Sequence, residues 1–141
     1  MPLSRRLLHL LPALAMSGAI FAGASLPGKY LPAFLHGGVD KYAHALVYGL
    51  LAASYLFAFG NDLLRRSPLG MSLATIVICL LYGGLEEWYQ SIIPGRRPDR
   101  FDLEADMIGV MVVIMFWMII LLKKSVPGDG DSATKTPAQG S

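Results

Sequence analysis

The sequence predicts an all-α fold, an integral membrane bundle of four transmembrane helices. Three observations carry this. The 141-residue chain is 54% hydrophobic and has a mean hydropathy of +0.50. Only 16% of its residues are charged, against about 25% in a typical soluble domain. Those charges are bunched between long apolar runs instead of being spread along the chain, which fits lipid as the surrounding medium.

The first run, 7–26, follows Arg5-Arg6 and has the roughly 20 residues needed to cross a 30 Å hydrocarbon core. Ala22-Gly23-Ala24 behind a basic start also fits a cleavable signal peptide. Pro12, the length of the run and the short loop after it favour a retained helix. Residues 27–39 read as a loop rich in Pro and Gly. The second span is expected over about 41–60, with Asp40 as its N-cap, and residues 61–68 as the next loop. The third covers about 69–92 and stops before Pro94-Gly95. The fourth begins near Phe101 and ends at Lys123-Lys124. Its uninterrupted apolar part, 107–122, is shorter than the roughly 20 residues required, so it must borrow the turn 103–106. These spans make one transmembrane domain, 1–124. The tail, 125–141, is Gly, Ser, Thr, Pro and Ala with few charges, and its composition predicts disorder.

Charge gives orientation and excludes one class of partner. One face carries Arg5, Arg6, Arg65, Arg66, Lys123 and Lys124. The other carries Lys29, Lys41, Arg96, Arg97 and Arg100. The small excess predicts both termini in the cytoplasm. The basic residues flank apolar segments and form no stripe, so nucleic acid is not implied. The single cysteine, Cys79, lies inside an apolar run. It reads as a small packing residue.

Seven acids, Asp40, Glu86, Glu87, Asp99, Asp102, Glu104 and Asp106, lie at the helix ends that carry the 27–40 and 93–101 loops. Asp40, His44 and Tyr48 are spaced by four and share one helical stripe. Glu86 or Glu87 joins Gln90 on a stripe of the third helix. Asp102, Asp106 and Gly109 share a stripe of the fourth, and Gly109 would admit close helix approach below the acids. Ionisable residues inside a span are costly unless they face the bundle interior. The three stripes are therefore expected to meet.

Together, Asp40-Lys41-x-x-His44-x-x-x-Tyr48, Glu87-x-x-Gln90, Pro94-Gly95-Arg96 and Asp102-x-x-x-Asp106-x-x-Gly109 resemble the VanZ-like family. The resemblance spans about residues 20–115. The family pattern usually has Asn where this chain has Asp106; the change keeps an oxygen acceptor, adds a possible charge and removes an amide donor. The resemblance implies a multi-span protein of the bacterial cytoplasmic membrane, an uncleaved first helix, and an association with resistance to the glycopeptide teicoplanin.

The leading expectation is a site that binds or processes a lipid-linked or cell-envelope substrate at the extracytoplasmic face. His44 would act as general acid or base, oriented by Asp40 or an acid of another helix. Glu87 and Asp102 would transfer a second proton or bind a divalent ion. Asp40, Lys41, Tyr48, Gln90, Arg96 and Asp106 would contact substrate. Within Pro94-Gly95-Arg96-Arg97-Pro98, the resemblance selects Arg96 over Arg97 as the anion clamp. The donor set suits Mg, Mn or, less well, Zn, although no Cys or paired-His motif marks a metal. Whether the chain is an enzyme stays open. A structural or partner-binding protein, its acids paired with Lys41 and Arg96, is the alternative. A small ion-coupled transporter lacks the broken helices of that class.

Overall fold

The computed structural model describes residues 3–32 and 38–125. They form helices α1 (Leu3–Ala24), α2 (Val39–Arg66), α3 (Pro68–Gln90) and α4 (Arg100–Ser125), with a short 3₁₀ turn at Gly28–Tyr30. No strand occurs among the described residues. The predicted tail beyond Ser125 lies outside them.

Helices α2, α3 and α4 are each long and apolar enough to cross a membrane. In α1 the described apolar stretch, Leu8–Ala24, is shorter. The chain is thus a multi-pass, all-α membrane protein. Large apolar side chains point outward along the helices: Leu46 and Phe57 on α2, Leu81 and Leu85 on α3, Val112 and Phe116 on α4. A water-facing surface does not tolerate contiguous apolar area on that scale, whereas lipid does.

Helix α2 is the hub. It packs against α1, α3 and α4; α1 and α4 do not meet. Tyr48, Leu51, Ala52 and Leu56 of α2 form the core with Ile20, Cys79, Val110 and Ile114. Cys79 is a free, buried thiol, the packing role its apolar setting predicts. Helices α2 and α4 cross closely at Gly109. A Cβ there would lie 1.8 Å from the Ala45 carbonyl oxygen, so only glycine fits.

Two predicted boundaries are corrected. The 61–68 loop does not exist as drawn. The chain kinks at Gly60 (φ 75°, ψ 154°), resumes as helix to Arg66, and enters α3 after Ser67 alone. The polar residues after Gly60 read as a loop, yet none of them breaks a helix, and Pro68 is at home in a first helical turn. Asp40 is not the N-cap of α2 either. Gly38 holds that position in a left-handed conformation (φ 97°), with no side-chain cap. Asp40 stands in the first turn, where its charge still favours the helix start.

Candidate functional site

The polar stripes of α2, α3 and α4 meet near one end of the bundle. Asp102 and Asp106 lie four apart on α4, the spacing that stacks side chains on one helical face. Both are buried, Asp106 to 1% exposure. His44 Nδ1 sits 2.9 Å from Asp106 Oδ1, and its Nε2 sits 3.8 Å from Asp102 Oδ2. An ionised Asp106 would only accept, and Nδ1 would then carry the proton toward it, with Nε2 facing Asp102. The acid orienting His44 is therefore Asp106, not Asp40. Asp40 is taken up by Lys41, at 3.4 Å.

Lys41 gathers the acids. Its Nζ donates to Asp99 Oδ2 at 2.6 Å and to Asp102 Oδ1, besides Asp40. Asp99 also caps α4: its Oδ1 accepts from the Phe101 N–H at 3.0 Å, the ordinary work of an Asp just before a helix. The Lys41 ammonium bonded to Asp99 holds that carboxyl below its usual range. The Lys41–Asp99 pair is thus intact at neutral pH and is lost as pH falls through that lowered value.

On α3 the two neighbouring glutamates diverge. Glu86 accepts from Tyr48 Oη at 2.6 Å and from Gln90 Nε2 at 3.0 Å, so it is the acid that joins the Gln90 stripe. Glu87 turns the other way and accepts from the Asp99 backbone N–H at 2.8 Å. Two chains of contact result. One is Glu87–Asp99–Lys41–Asp102; the other is Tyr48–Glu86–Gln90. His44 with Asp106 stands next to both, and Gly83 leaves room for them: a Cβ there would meet Asp106 Oδ2 at 3.2 Å and Tyr48 Oη at 3.4 Å.

Arg96 goes elsewhere than the acids. Its Nε donates to the Leu26 carbonyl at 3.1 Å, and its Nη2 donates to the Gly23 carbonyl at 2.7 Å. These are carbonyls at and just beyond the end of α1, where helical partners run out. Beside them Gly28 N–H donates to the Pro94 carbonyl at 3.1 Å. A Cβ on Gly28 would lie 2.0 Å from the Gly95 carbonyl oxygen. The 27–31 and 94–97 segments are therefore clasped. Arg96→Lys is expected to loosen this clasp by about 2 kcal/mol, because Lys keeps the charge and loses the fork. Arg97 is exposed, and Arg97→Ala should change stability by less than about 0.5 kcal/mol. Thermal unfolding of both variants in mild detergent checks the contrast.

The sequence reading placed the site among the second, third and fourth helices. The first also contributes. Met16, Ala19, Ile20 and Gly23 form one wall of a cleft of about 820 Å³, whose other side holds Asp40, His44, Tyr48, Glu86, Gln90 and Asp102. Helix α1 is held there by Tyr82 Oη donating to the Ser17 carbonyl at 2.6 Å and by Phe21 stacked on Tyr89. Asp99, placed at this face by the sequence but given no role in the site, is also a member of the cluster; Pro98-Asp99 ahead of an apolar run is a helix-start signal. Among the described residues no group of three His, Cys, Asp or Glu side chains is arranged to hold a metal ion.

No family model matches the chain, and no solved structure matches it. A stretch of 77 residues, 54% of the chain, is 34% identical to an uncharacterized protein of Schizosaccharomyces pombe. The match spans 44% of that fungal protein's length.

Proposed function

We propose that the cleft binds, and with His44 processes, a lipid-linked or cell-envelope substrate at one membrane face. The observation that carries this reading is the make-up of the cleft, an apolar α1 wall opposite a histidine and several carboxylates. An amphiphile needs both surfaces, one for its chain and one for its headgroup. Intramembrane ionisable residues of this density mark functional sites by default.

The reading has three further parts. The first is that α1 also crosses, giving four spans. In support, α1 contacts Phe57 through His9 and Tyr89 through Ser25 and Phe21, so it runs alongside the bundle for most of its length. The second is that both termini are cytoplasmic, from the Lys and Arg excess. The third is the VanZ-like resemblance, with its bacterial cytoplasmic membrane and its link to teicoplanin resistance, which rests on the motif residues alone.

A second reading has an observation of its own. Lys41 is bonded to acids of its own chain, and Arg96 to main-chain carbonyls. A cluster that ties up its own cations in this way also holds helices in register. The His44→Gln variant separates the two readings. A processing site predicts at least tenfold loss of an envelope phenotype, such as glycopeptide tolerance, at unchanged membrane abundance. If the loss of phenotype follows the loss of folded protein, the cluster is structural.

A further inference from the structure

Carboxylates outnumber the basic groups along the cleft, although Lys41 behind it is shared by three of them. Asp40, Glu86, Asp99 and Asp102 face the cleft, and of the basic residues only His44, Arg96 and Arg97 do. The Arg96 fork is already engaged by carbonyls, and Lys41 is not part of the lining. Two carboxylate oxygens, Asp40 Oδ1 and Glu87 Oε1, are buried without a hydrogen-bond partner among the described residues; of the two residues only Asp40, its side chain 35% exposed, lines the cleft. A buried, unpartnered carboxylate oxygen is costly unless a donor reaches it.

We propose that the cleft takes an aminophospholipid, a headgroup with a primary ammonium joined to a phosphodiester. The proposal rests on the lipid reading above and names its substrate class. The ammonium lies among Asp40, Glu86 and Asp102. The phosphodiester faces Arg97, which is exposed at the rim of the same cleft. An acyl chain runs along Met16, Ala19 and Ile20.

Two features favour an organic ammonium over a bare metal ion. A divalent ion needs several ligands converging on one point, and no such group exists among the described residues. An ammonium instead donates in three directions to separate acceptors. Lys41 shows this in the same cluster, its Nζ shared by Asp40, Asp99 and Asp102.

The test uses the full chain purified in mild detergent and fluorescence anisotropy of short-chain lipids labelled on the acyl chain. Phosphatidylethanolamine is expected to bind about tenfold more tightly than its N-acetylated form, in which the charge is removed. It should also bind more tightly than phosphatidylglycerol. Asp40→Asn and Glu86→Gln should each shrink the tenfold preference to about twofold, with unfolding midpoints recorded alongside. Equal binding of the free and N-acetylated lipids overturns the ammonium assignment and leaves the lipid reading standing. Tighter binding of phosphatidylglycerol overturns it in favour of an anion clamp. Competition by soluble phosphoethanolamine as strong as by the lipid removes the acyl-chain half of the proposal. If no lipid binds above detergent background, this proposal and the lipid reading fall together.

Discussion

Gly109→Ala is expected to destabilise the bundle by about 3 kcal/mol or more, at the upper end of the cost of overpacking. The added methyl would sit 1.8 Å from the Ala45 carbonyl oxygen and 2.7 Å from its carbon. Both are backbone atoms, so no side-chain rotation relieves the clash, and α2 and α4 must separate. That separation also moves His44 away from Asp106, since one stands on each helix. Gly84→Ala is the matched control. It has nothing within 4 Å of the new methyl, and Ala is about 1 kcal/mol the better helix former. It should leave stability unchanged or slightly raised. Unfolding midpoints of the two variants in the same detergent decide the matter; equal midpoints would mean that the α2–α4 crossing is looser than described.

Lys41→Met should be nearly as damaging, at about 2 kcal/mol. The substitution keeps the aliphatic stem and removes the ammonium that Asp40, Asp99 and Asp102 share. Breaking a fully buried ion pair costs about 3–5 kcal/mol. Here Lys41 is 28% exposed and Asp99 40% exposed, so solvent screens part of the loss. Asp102, at 11% exposure, suffers most. Asp102→Asn in the Lys41→Met background should therefore recover part of the stability. A double-mutant cycle should show a coupling of about 1–2 kcal/mol. Strictly additive effects would sink the idea that Lys41 and Asp102 compensate each other.

What the sequence disclosed and what it withheld divide along a physical line. Helices α2, α3 and α4 were legible because apolar runs bounded by charges respond to one dominant force, the cost of polar groups in lipid. The meeting of the three stripes followed from helical spacing together with the cost of ionisable groups in lipid. Spacing did not choose between Glu86 and Glu87, because offsets of three and four both fall beside Gln90. The choice was made by Tyr48 on another helix. Likewise, that Arg96 reaches Gly23, 73 positions earlier, depends on how α1 docks, and no local pattern records that. The break at Gly60 was visible as composition and the span does end there, but the polar residues after it form a further short helix and not a loop.

The clasp between Gly28 and Gly95 also bears on how the molecule comes into being. A chain is made from its N-terminus, so α1 and the 27–31 segment emerge well before Pro94, Gly95 and Arg96. Until that later loop exists, the end of α1 has neither the Pro94 acceptor nor the arginine donors on its carbonyls. During this interval α1 is held by its packing on α2 and, once α3 is made, by Tyr82 and Tyr89. The clasp at the end of α1 is therefore closed only after translation has passed the third helix. A nascent chain arrested before residue 94 should leave position 28 open to a crosslinking probe, and one extended past α4 should shield it behind Gly95.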